Sequence, residues 1–302
     1  MPVTGSRSQS AMEYMMTYSW AILMIAVVIG ALYSLGLLNP ITYAPRANPG
    51  GCQVRITIGP VGVKIPSLVG VCTNTLPKYV AQFNGQSVIT LSNNGLMSSN
   101  SFTVSLWIFT QSDPYFNGEI GFVNASTYGW QIDSAPPGTY NGVLRYRIDT
   151  SGYLNQHSDY PANLNLKNGK WHFGALVFNR SVGSNGWVYL YFDGAMGWNS
   201  PVYSGPMPIG GMVGTIGSPP LGGGSFNGLL SNVQIYDTAL TPNDISALYI
   251  EGIGGTPINI KHITGWWPLN GNANDYSGNG YSGIPVNVIY TDSWTNGYAL
   301  RS

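Results

Sequence analysis

Charge is what this chain has least of. Lys and Arg number 12 and Asp and Glu 12, together 8% of 302 residues, against about 25% in ordinary globular proteins. Its polar surface is therefore built largely from uncharged side chains. The formal net charge is +0, and the cations are scattered from Arg7 to Arg301 with no basic patch. Nucleic-acid binding, which needs clustered Lys and Arg to neutralise phosphates, has nothing to rest on. Glutamate occurs only as Glu13, Glu119 and Glu251, which leaves little for the two placed carboxyl groups that sugar hydrolysis uses. Asp133, Asp149, Asp193 and Asp237 lie at strand ends, where turn roles account for them. No Gly-x-Ser-x-Gly occurs, and Leu221-Gly-Gly-Gly-Ser225 lacks the Lys of a phosphate loop. The chain is therefore not expected to be an enzyme. Two cysteines with His157, His172 and His262 far apart give no zinc-ligand spacing.

What is present begins with an uncharged run from Met15 to Leu38. At about 1.5 Å per residue, residues 14 to 38 as a helix extend roughly 37 Å, enough to cross a hydrocarbon core of about 30 Å. A secretory signal fits less well, since its apolar region is shorter and ends at a small-residue cleavage site. Glu13 sits at the mouth of this helix, where a lone charge is costly. Cutting between Ser8 and Gln9 makes Glu13 the fifth residue of the mature chain and frees an amine on Gln9 that can neutralise it in a neighbouring subunit. These first 40 residues resemble an archaeal type IV prepilin. That resemblance implies a leader (1–8) with a class III signal peptide, a retained hydrophobic helix (9–40), and other pilin-like subunits as partners. An uncut signal anchor is the alternative. Arg7, the one side-chain charge before the helix besides Glu13, places the N-terminus inside and the remainder outside.

Cys52 and Cys72 both fall on the outer side, where an oxidising compartment lets them pair. A closed loop of that length contributes roughly 3 kcal/mol in the chain-entropy model and would stiffen a stalk over residues 41–77.

From Tyr79 onward short strands follow one another, each ended by Gly, Asn, Pro or Asp, the pattern of an antiparallel β-sandwich. In Phe102–Phe109, alternation puts Phe102, Val104, Leu106 and Ile108 on one face and Thr103, Ser105, Trp107 and Phe109 on the other. Strands are also expected at 143–148, 171–178, 187–192 and 230–236, with a hairpin turn at Asp193-Gly194. One further helix opens at Thr241 as N-cap with Pro242 and Asp244 behind it, and closes at Gly252. Four segments in order, Phe83-Asn-Gly85, Phe102–Ile108, Tyr189–Gly194 and Phe226–Ile245, make the region similar to the laminin-G-like, concanavalin A-like jelly roll, over about 78–258. The segment from Trp266 to Gly280 looks like the opening strand of the same fold, displaced beyond the closing helix. Residues 259–302 then either complete the sandwich beside Leu230–Tyr236 or start a second repeat. Completion would take Trp266, Trp267, Leu269, Ile284, Val286 and Ile289 out of water.

Tyr115, Tyr128, Trp130 and Tyr140 lie in an amide-rich stretch of the kind that stacks on sugar rings and binds hydroxyls, or they cap the core. Relatives often hold calcium in a tight loop, which the resemblance assigns to Asp275 and Asn279; against it, Asn232 stands where the family often has Asp. Asn124-Ala-Ser126 and Asn179-Arg-Ser181 are glycosylation sequons. The expectation is a mainly β, single-pass membrane protein of the archaeal cell surface or pilus, with an extracellular lectin-like head for adhesion or glycan binding. A structural subunit without a ligand and a tethered glycan hydrolase are the alternatives.

Overall fold

The computed structural model describes residues 7–299 apart from 36, 39–42, 60–61, 74, 92–94, 98, 112–116, 135–142, 155, 158–165, 204 and 208–210, with side chains from Tyr14 onward except Asn117. Two compact units make up the chain, Met1–Ala44 and Pro45–Ser302.

The first unit is helix α1, Arg7–Ser34. Its Tyr14–Ser34 portion has 21 residues, about 31 Å at helical rise, and is long and apolar enough to cross a membrane. Its sides are apolar all round: Met15, Trp20, Leu23, Ile25 and Val28 are all exposed, as in a helix whose surroundings must themselves be apolar. Two of its hydroxyls are satisfied within the helix, Ser19 Oγ donating to the Met15 carbonyl at 2.7 Å and Ser34 Oγ to that of Ala31 at 2.9 Å.

The second unit is a sandwich of two eight-stranded sheets. The front sheet runs Gln156–His157, Leu144–Asp149, Gly129–Ser134, Asn117–Val123, Val213–Ile216, Val88–Leu91, Gly283–Val286, with Gly224–Ser225 beside Asn117–Val123. The back sheet runs Ala195–Pro201, Trp187–Phe192, His172–Asn179, Phe102–Phe109, Asn227–Tyr236, Val80–Asn84, Ile289–Thr291, with Ile263–Trp267 also paired to Asn227–Tyr236. Alternating inward residues of both sheets build the core. Phe102 stacks on Trp130 at 5.0 Å and lies 5.6 Å from Phe178, and Phe122, Tyr146, Phe226 and Trp267 fill the rest, all under 2% exposed. Each such side chain contributes about 1.5–3 kcal/mol by leaving water.

The Asp193-Gly194 turn has φ of 48° and 80°, the left-handed pair of a tight hairpin. Helix α2, Pro242–Glu251, is capped as its sequence demands. Thr241 Oγ1 accepts from the Asp244 backbone N–H at 3.2 Å and Asp244 Oδ2 accepts from the Thr241 N–H at 2.9 Å, a reciprocal capping box. The expected alternation of Phe102–Phe109 is present, yet both faces are buried. The reason is a second apolar layer outside the back sheet: Trp107 stacks on Tyr249 of α2 at 6.0 Å and meets Tyr298 at 5.8 Å. The C-terminal segment is strapped there by Trp171, whose indole N–H donates to the Trp294 carbonyl at 2.9 Å.

The displaced Trp266-Trp267 strand pairs antiparallel with Asn227–Tyr236, Val233 opposite Trp267. Two further strands extend the sheets, Gly283–Val286 beside Val88–Leu91 and Ile289–Thr291 beside Val80–Asn84. Residues 259–299 thus contribute strands to both sheets. Trp266, Trp267 and Leu269 are buried, but Ile284, Val286 and Ile289 are 63%, 48% and 60% exposed. Those three lie on edge strands with no layer over them.

Cys52 and Cys72 form a disulfide, Cα atoms 4.8 Å apart. The hairpin it closes, Cys52–Ile58 with Lys64–Gly70, is docked on the sandwich: Val54 is 3% exposed, and its N–H donates to the Tyr276 carbonyl at 2.8 Å.

Candidate functional site

Each sheet carries a polar surface outside the core. On the front sheet, cross-strand pairing sets Arg145 opposite Asp133 and Arg147 opposite Gln131. Arg145 grips Asp133 with two nitrogens, and Gln131 Nε2 donates to Asp133 Oδ2 at 2.9 Å. Burial pushes the Asp133 carboxyl above its usual range, opposed by Arg145 and Gln131. Arg147 forms a second fork on Asp149, at 3.1 and 2.7 Å. Gln131 Oε1 accepts from the Leu221 N–H at 3.1 Å, so the glycine-rich segment after Val213–Ile216 lies over this layer. These charges are spent on one another and on that segment.

The other surface is a groove of about 370 Å³ across the outer face of the back sheet. Its floor is a cross-strand row, Gln82 opposite Leu229 and Leu229 opposite Phe109. Thr110, Gln111, Asn227, Thr291 and Ser293 form the rim. Phe109 is half-buried and Gln82, Gln111 and Asn227 are exposed. Trp171 packs behind the Phe109 ring, centroids 5.7 Å apart, and Thr110 Oγ1 fixes the rim by donating to the Asn227 carbonyl at 3.0 Å. A Cβ on Gly228, whose φ is +157°, would meet the Phe109 carbonyl oxygen at 2.3 Å and Phe226 Cζ at 2.7 Å; only glycine lets the strands close here. Among the described residues, no charged side chain lines the groove. One flat ring among amides and hydroxyls suits an uncharged polyol: the ring covers C–H faces and the amides serve hydroxyl groups as donors and acceptors.

The residues expected to stack on sugar are not gathered. Trp130 is 0% exposed, wedged between Phe102 and Phe122 at 5.0 and 5.1 Å, so it is a core residue and meets no ligand. Alternation explains the correction, since Trp130 and Ile132 point inward and Gln131 and Asp133 outward. Tyr128 is half-buried at the tip of the hairpin 123–129, away from the groove's strand ends. Tyr115 and Tyr140 lie outside the described residues, as do the side chains of Ser8, Gln9 and Glu13, whose backbone is helical. Phe109 was legible as an outward residue of its strand; Gln82, Gln111 and Asn227 were not, because only pairing brings them together.

Asp275 and Asn279 organise a loop. Asp275 Oδ1 accepts from the backbone N–H groups of Trp266 and Ser277, and Oδ2 from Tyr281 N–H and Ser277 Oγ, all at 2.8–3.0 Å. Asn279 Nδ2 donates to the carbonyls of Ile263 and Thr264 at 3.0 and 3.1 Å. A calcium site needs oxygens free to face the ion, and here four donors occupy the carboxylate. The residues do not fit calcium, and no group of three or more His, Cys, Asp or Glu able to hold a metal occurs among the described residues. Asn232 is structural too: its Oδ1 accepts from the Trp266 indole at 2.8 Å and its Nδ2 donates to the Gly255 carbonyl at 2.8 Å.

Residues 83–246, more than half of the chain, match the concanavalin A-like lectin/glucanases superfamily. The chain belongs to that superfamily. Among solved structures, this lectin-like head resembles a native heptameric SAP-like pentraxin from Limulus polyphemus, at 16% identity over 73% of this chain and 97% of that one, TM-score 0.51. It also resembles a putative carbohydrate-binding protein from Bacteroides ovatus, at 13% identity over 88% and 84% of the two chains, TM-score 0.51. At such identities the likeness is one of fold. No curated protein matches the chain.

Proposed function

We propose that this is a membrane-anchored, lectin-like surface protein whose head binds neutral glycans in the back-sheet groove without cleaving them. The observation that carries the reading is the groove itself, an open ring edge framed by Gln82, Gln111 and Asn227 with no charge among its described lining residues. Membership of a superfamily of lectins and glucanases supports a sugar ligand. Binding without cleavage is supported by six of the described carboxylates, which already have structural tasks. Asp133 and Asp149 are forked by arginines, Asp193 and Asp237 each face a histidine, and Asp244 and Asp275 hold a cap and a loop. A glycan-array screen with soluble residues 45–302, run beside a hydrolysis assay, tests it. Binding to neutral oligosaccharides without product, weakened about tenfold by Phe109→Ala, is the expected result. Release of sugar, or binding indifferent to Phe109, Gln82 and Asn227, overturns the site.

Helix α1 is read as the anchor, and the Gln9–Glu13 spacing supports prepilin-type processing after Ser8, with filament neighbours as partners. Native protein should begin at Gln9 on N-terminal sequencing; a chain starting at Met1 or Pro2 would return the segment to a plain anchor.

A further inference from the structure

We infer that Asn124 and Asn179 carry N-linked glycans, which together cap the end of the head opposite the groove. The chain has two Asn-x-Ser/Thr sequons, Asn124-Ala-Ser126 and Asn179-Arg-Ser181, and a triplet this short arises readily by chance in buried strands or loops at either end. Neither sequon is buried, and both lie at one end. Asn124 opens the tip of the hairpin joining Asn117–Val123 to Gly129–Ser134, and Asn179 closes His172–Asn179 as the chain turns toward Trp187–Phe192. Phe102 connects the two sites in space: it pairs with Phe178, the neighbour of Asn179, and its ring stacks on Trp130, two residues beyond the Asn124 turn. Phe109, in the groove, is seven residues along the same strand, about 24 Å away at 3.4 Å per residue.

Both asparagines make the same Asx turn, and Asn124 Oδ1 also accepts from the Tyr128 N–H at 3.0 Å. Asn124 Oδ1 accepts from the Ser126 backbone N–H and Asn179 Oδ1 from that of Ser181, each at 3.0 Å. Such Asx turns commit the oxygen inward and leave Nδ2 as the outward atom. Residues 125–127 and 180–181 are exposed, which leaves both triplets open to a transferase. In the transfer, Nδ2 attacks the anomeric carbon of a polyprenyl phosphate- or diphosphate-linked oligosaccharide. A C–N bond forms, the C–O bond to the lipid phosphate breaks, and Nδ2 gives up one proton, with no change of oxidation state. A head with so little charge gains hydration from this, at the end where it leaves the groove open.

The inference rests on the outward placement of the head, and peptide mapping of full-length protein from its own membranes reads both under non-reducing conditions. Expected are oligosaccharide masses on the Asn124 and Asn179 peptides, each lost in Ser126→Ala or Ser181→Ala. These variants keep the turn, because its donor is a backbone N–H, and remove only the sequon. Unmodified Asn124 and Asn179 beside an intact Cys52–Cys72 bridge would overturn the inference while leaving the glycan-binding reading standing. Unmodified asparagines beside free thiols would overturn the outward placement as well.

Discussion

At the residue scale, chemical type misleads and environment decides. Trp130 and Phe109 are both aromatic residues beside amides, yet one is sealed in the core and the other lines an open groove. Trp130→Ala should therefore destabilise the head by about 3–5 kcal/mol, while Phe109→Ala should change its melting far less and act on sugar binding; thermal melts of both variants check this. Asp133→Asn should cost about 3–5 kcal/mol by leaving Arg145 without its counter-charge in a buried site, where Asp275→Asn loosens one loop. Tyr146, Tyr191, Tyr236, Tyr290 and Tyr298 all have hydroxyls pushed up by burial, Tyr290 to about 12. The folded head keeps these protons where the unfolded chain releases them near pH 10. By linkage, stability is full below about pH 10 and falls as pH rises toward 12. The last phase of tyrosinate absorbance should rise together with the loss of ellipticity in that window; complete ionisation of every ring with full native ellipticity would mean the buried rings are accessible.

At the element scale, most of the architecture was legible. Period-two alternation located Phe102–Phe109, Asp193-Gly194 announced its hairpin, and Thr241-Pro242 with Asp244 announced α2. What alternation could not give was what covers each face. Thr103, Ser105 and Trp107 were placed on the other face of their strand, and that face lies under α2 and the Trp294–Tyr298 segment, which arrive from more than 130 residues later in the chain. The groove was illegible for the same reason, since Gln82, Phe109 and Asn227 meet only through strand pairing. The C-terminal strands set a test of that long-range closure. Removing residues 259–302 takes Trp267 from beside Val233, strips Ile289–Thr291 from Val80–Asn84, and uncovers Trp107 and Trp171. Losing several fully buried aromatics at about 1.5–3 kcal/mol each exceeds the stability of a marginal domain. A soluble chain of residues 45–258 should aggregate where 45–302 melts cooperatively; matching melts would mean the later strands are an independent addition. Reduction of Cys52–Cys72 is a milder change, roughly the 3 kcal/mol of the chain-entropy model, since it acts on the unfolded chain while Val54 and Tyr276 still hold the hairpin.

At the scale of the whole molecule, scarcity of charge becomes a statement about the ligand. The head has its Arg–Asp forks tied up within the front sheet, and its groove is lined by amides, hydroxyls and the Phe109 ring, with Leu229 in its floor. Recognition there draws on contacts within van der Waals and hydrogen-bond range, which mobile ions do not screen, whereas attraction of an acidic sugar to exposed guanidinium groups weakens as the Debye length shrinks from about 10 Å at 0.1 M salt toward 3 Å at 1 M. Affinity for a neutral oligosaccharide should accordingly stay within about twofold between those two ionic strengths, measured by titration calorimetry on residues 45–302. A fall of tenfold or more would put the binding on cations outside the groove and overturn the site.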